Sequence, residues 1–111
     1  MRSGMLRLCR HGLLPGPVWK RIPVAGSFEV AAAEGTTFRF VSVRNDQIGR
    51  CLFWGGIDAF EPETIRGVIS HARGASVVLD IGANTGLYAM LACEVNPTAT
   101  VIAVEPVPRI N

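Results

Sequence analysis

Asp80, Gly82, Asn84 and Gly86 fall within seven residues of one another, and Glu105 follows nineteen residues beyond Gly86. Glycine adopts backbone conformations closed to residues with a Cβ, and asparagine is the side-chain-bearing residue that best tolerates the left-handed region between two glycines. Such a loop can press its backbone against a ligand. Its amides, with the first turn of a helix behind it, are expected to present unpaired N–H groups to a carboxylate or a polar ligand edge. A carboxylate at position 105 can accept both hydroxyl hydrogens of a ribose, the role of the acid about 20 residues past the glycine turn in nucleotide-binding βαβ units. Together these residues predict a site for an adenosine-bearing cofactor.

The elements that must position them follow from the flanking pattern. Val77 to Ile81 holds four apolar residues, three of them β-branched, as in a strand covered on both faces. Leu87, Met90, Leu91 and Val95 recur at helical spacing, and Asn96 with Pro97 should end that helix. Thr100 to Pro106 then reads as a second covered strand ending in an acid. Strand, helix, strand implies a parallel pair with a right-handed crossover, which sets Glu105 beside the glycine loop, and Asp80 at the carboxyl end of its strand, where open α/β sheets place ligands.

The glycine pattern separates cofactor classes. The nicotinamide fingerprint G-x-G-x-x-G needs glycine where this chain has Asn84 and Leu87. A pyrophosphate at the turn would also disfavour a nearby aspartate, whereas an amino group and a sulfonium are attracted to one. The frame D-x-G-x-N-x-G instead resembles the first motif of S-adenosylmethionine-dependent methyltransferases. "LDIGANTGLYAMLA" followed by "VIAVEPVP" is similar to the FkbM family, with D-[IV]-G-A-N-x-G-x-[YF] and then an F-E-P or V-E-P with a second proline; "LFWGGIDAFEPETI" is similar to a lead-in found in some members. Val104 stands where an aromatic is common, which leaves the acid untouched. The resemblance implies a Rossmann-like methyltransferase domain that moves a methyl group from S-adenosylmethionine to oxygen, the acceptor being a hydroxyl of a sugar or small natural product. Carried over by position, Asp80, Gly82, Ala83, Asn84 and Gly86 would line the methionine end of the cofactor and Glu105 would hold its ribose. No catalytic residue is implied.

Upstream, Glu61 to Arg73 is expected to be a helix, with Pro62 in the first turn, Gly74 at the exit, and Ile65, Val68, Ile69 and Ala72 on one face. His71 lies beside that face, and a base role there is outweighed by its distance from the strand tips. Phe28, Val30 and Ala32 alternate with polar or small residues, Glu34-Gly35 suits a turn, and Phe38 and Phe40 alternate after it, which predicts a β-hairpin. "NDQIG" should turn the chain, and "RCLFWGG" a short strand or a glycine loop. The expected organisation is a poorly ordered basic leader over 1–26, a hairpin and loop appendage over 27–60, and the first part of the cofactor-binding domain over 61–111.

Charge and cysteine use exclude other classes. Residues 1 to 28 carry five basic side chains and no acid, and the rest carries six basic and nine acidic, for a net +2, so no nucleic-acid surface is indicated. "PGP" breaks the leader's short apolar run, which rules out a secretory signal; a transit peptide fits the arginines but not the scarcity of serine. No run approaches eighteen apolar residues, so no membrane anchor is expected. Cys9, Cys51 and Cys93 are odd in number and lack a C-x-x-C pair, which argues against a disulfide framework or a zinc site and for a reducing, cytoplasmic setting. Cys93 reads as a packing residue, Trp19 and Trp54 as core or half-buried anchors, and no metal-ligand cluster is visible.

Two parallel strands do not make a sheet: each leaves an unpaired edge and wet apolar surface. The 111-residue chain is therefore expected to be the amino-terminal portion of a longer methyltransferase or a truncated product, inactive alone and a poor binder of S-adenosylmethionine. The competing readings are a non-catalytic remnant or binding module and a nicotinamide-dependent oxidoreductase.

Overall fold

The computed structural model describes residues 11–13, 15–32, 35–43 and 46–108. It is an α/β chain that divides into two units, Met1–Pro62 and Glu63–Asn111. In the first, strands β1 (Gly26–Ala31) and β2 (Thr37–Ser42) pair antiparallel, with Phe28 opposite Phe40 and Val30 opposite Phe38. The alternation works as a hairpin requires: Val30, Phe38 and Phe40 are buried while Glu29, Arg39 and Val41 face solvent. Of the expected turn, Gly35 has φ 74° and Glu34 lies outside the described residues.

The segment expected to turn and then extend is instead a helix, α2 (Gln47–Gly55). Asp46 caps it, its side chain accepting the Ile48 N–H at 3.0 Å. Cys51 and Leu52 follow Ile48 at three and four residues and are buried, a helical spacing that the glycines and aromatics around them obscure. The helix packs on the hairpin at Gly49, where an added Cβ would run into Ser42 Oγ.

The leader also departs from expectation. After a single helical turn, α1 (Gly16–Trp19), residues Trp19, Ile22 and Val24 pack with Phe28, Phe53 and Trp54. The Trp54 indole N–H donates to the Ile22 carbonyl at 3.3 Å and the Ser42 hydroxyl to that of Val24 at 3.1 Å. Phe53 meets Phe28 and Trp54 edge-on, with centroids 5.1 and 4.8 Å apart. This stretch is therefore core; residues 1–10 of the leader lie outside the described residues.

The second unit contains all but the first residue of α3 (Pro62–Ala72), with β3 (Val77–Ile81), α4 (Leu87–Val95) and β4 (Thr100–Val104). Pro62 opens α3, whose Ile65, Ile69 and Ala72 are buried. β3 and β4 pair parallel from Val77 opposite Thr100 to Ile81 opposite Val104, joined by α4, which packs on both strands. Leu87, Ala89, Leu91 and Ala92 are its buried residues.

Asn96 fastens the unit together. Its side-chain N–H group donates to the carbonyls of Ala72 and Ala75, both at 2.9 Å, while its oxygen accepts from the Thr98 hydroxyl at 2.7 Å. The end of α3 is thus tied to the turn that feeds β4.

Coverage of the strands on both faces is not observed. Val78 and Asp80 share a half-buried side, but Val77, Leu79 and Ile81 are 60, 57 and 74 % exposed, and Ile102 and Val104 47 and 46 %. Apolar composition reports what a strand can bury; it does not guarantee a second layer. Among the described residues, no helix is long and apolar enough to cross a membrane.

Candidate functional site

The glycine loop runs from the tip of β3 into α4, and its backbone is left-handed at Gly82 (φ 78°), Asn84 (φ 51°) and Gly86 (φ 81°). An added Cβ at Gly82 or Gly86 would meet nothing within 4 Å, so φ and not room selects glycine there. The N–H groups of Gly82 and Ala83 both donate to the Val104 carbonyl, at 2.8 and 3.1 Å, and that of Gly86 to the Ala83 carbonyl at 2.7 Å. The Asn84 N–H donates to Glu105 Oε2 at 2.7 Å, and the Val107 N–H to Oε1 of the same carboxylate at 2.8 Å.

The loop amides expected to be unpaired are therefore engaged, because β4 ends where its last carbonyl and the following acid can accept from them. The loop is pinned to the tip of β4 by its own donors. α4 starts from Gly86 with no side-chain cap, so a ligand meets that uncapped helix start and the polar edge of Glu105. These two bonds hold the Glu105 carboxylate against the loop at the edge of the strand tips.

A groove of about 410 Å³ lies here, lined by Gly82, Asn84, Glu105, Val107 and Pro108. Ala83 is buried beneath it and Gly86 is half-buried. The structure thus brings Gly82, Asn84 and Glu105 together around one concavity. Asp80 does not line it. That residue sits on the half-buried side of β3, with Oδ2 shielded from solvent and lacking a hydrogen-bond partner, as does Thr85 Oγ1 a few residues on. A buried carboxylate oxygen without a donor is uncommon in a finished site, and an ammonium or hydroxyl is the chemistry that satisfies it. The residues fit S-adenosylmethionine in part: the Glu105 carboxylate borders the groove as an acceptor, whereas Asp80 contributes its negative charge from outside that lining.

Other candidates lie elsewhere. His71 is exposed and borders a separate groove of about 560 Å³, lined by Thr64, Val68, Ala75 and Val77 to Leu79 among others, at the opposite end of β3 from the glycine loop. Cys93, expected to pack, is exposed, whereas Cys51 is buried and burial pushes its thiol above the ordinary value of 9.0, against the opposing pull of Lys20 and Arg50. Among the described residues, no three His, Cys, Asp or Glu side chains cluster at metal-binding range. Thr85, Val107 and Pro108 were not singled out by the sequence pattern, although the second proline of the V-E-P motif marks where the wall of the groove runs. Comparison with protein-family models, curated proteins and solved structures finds no match.

Proposed function

We propose that the Glu63–Asn111 unit is the cofactor-capturing start of a Rossmann-like, S-adenosylmethionine-dependent methyltransferase resembling the FkbM family, acting on a hydroxyl of a sugar or small molecule. The observation that carries this reading is the Glu105 carboxylate, held against the left-handed Asn84 backbone across adjacent parallel strand tips and bordering a groove. The unsatisfied Asp80 Oδ2 supports it from the other side of the loop.

In this reading Glu105 accepts the ribose hydroxyls, and its two backbone bonds keep the carboxylate from turning away. Asp80 attracts the cationic methionine end through its charge, and the left-handed backbone at Gly82 and Gly86 favours glycine in the loop. When bound, S-adenosylmethionine supplies an electrophilic methyl group on a sulfonium. Turnover then depends on alignment with an acceptor oxygen. The described residues account for capture of one end of the cofactor, and the two-stranded parallel sheet seen among them favours, as a second reading, a non-catalytic binding module. A buried, unpaired Cys51 accords with a cytoplasmic setting.

The test is a ¹⁵N NMR titration of the chain with S-adenosylmethionine and, separately, NAD. Shifts confined to the amides of Gly82 to Leu87 and Glu105 to Val107 are expected with S-adenosylmethionine, with a dissociation constant on the order of 1 mM, and they should vanish in Glu105→Ala. Shifts with NAD alone would install the dinucleotide reading. Silence toward both ligands would leave the binding-module reading standing instead.

A further inference from the structure

We draw no further inference here: the strongest candidate, the apolar groove of about 560 Å³ between α3 and β3 that Thr64, Val68, His71 and Val77 to Leu79 line, carries nothing, because nothing in the structure shows what covers it.

Discussion

A glutamate that accepts two backbone N–H groups with its two oxygens is not interchangeable with glutamine. Glu105 binds the Asn84 amide through Oε2 and the Val107 amide through Oε1. Glutamine keeps the shape but turns one oxygen into an N–H donor, so whichever way its amide is oriented, one of those backbone donors faces another donor. Ribose capture alone would make Glu105→Gln silent until ligand is added. The two bonds predict otherwise: a loss of about 1 kcal/mol in the unliganded chain, with faster hydrogen exchange at either Asn84 or Val107. Urea denaturation and residue-resolved exchange check this, and unchanged protection at both amides would return Glu105 to a purely ligand-facing role. At this scale the sequence is informative about identity and poor about engagement. The spacing of Glu105 from Gly86 identifies the acid. That it is already bonded to the loop depends on where β4 ends, which no local pattern encodes.

Between elements, packing reverses the usual preference for alanine over glycine in a helix. Gly49 sits inside α2, where Gly→Ala ordinarily gains up to about 1 kcal/mol. Here the new Cβ would lie 2.5 Å from Ser42 Cβ and collide with its hydroxyl, which also donates to the Val24 carbonyl. Gly49→Ala should therefore destabilise by about 1–3 kcal/mol. Gly67→Ala, in the middle of α3 with nothing within 4 Å of the new Cβ, should be neutral or stabilising. Thermal and urea melts of the two variants separate the cases, with Trp19 and Trp54 reporting on the first unit and Tyr88 on the second. α2 also marks the limit of what the sequence discloses about elements. The hairpin is legible because Phe28, Val30, Phe38 and Phe40 keep a period of two, and β3, α4 and β4 because their periods change cleanly at Gly82 and Asn96. α2 escapes because Gly49, Gly55 and Gly56 imitate a loop, leaving the Asp46 cap as its one local signal. Trp19, Ile22 and Val24 escape for a different reason: their partner Trp54 lies about thirty residues downstream, and a basic leader has no period that announces such a contact.

For the molecule as a whole, charge and apolar surface are concentrated in different places. Residues 1–62 carry eight basic and five acidic side chains, whereas 63–111 carry three and four. Two forces could therefore drive self-association, and their physical signatures differ. An association built on charge is screened within about 10 Å at 0.1 M salt, and it should collapse as ionic strength rises. One built on the open face of β3 and β4 is driven by release of apolar hydration, which strengthens on warming from the cold and carries a negative heat-capacity change. With about 1,000 Å² of apolar surface removed from water, that change should be about −0.4 kcal/mol/K. Calorimetric dilution of the concentrated chain at several temperatures separates the two: an apolar contact gives this slope, a dissociation constant that falls between about 5 and 25 °C, and tighter association in sulfate. A dissociation constant that climbs steeply with sodium chloride and lacks the heat-capacity signature would place the contact among the charged side chains and away from the bare strand face.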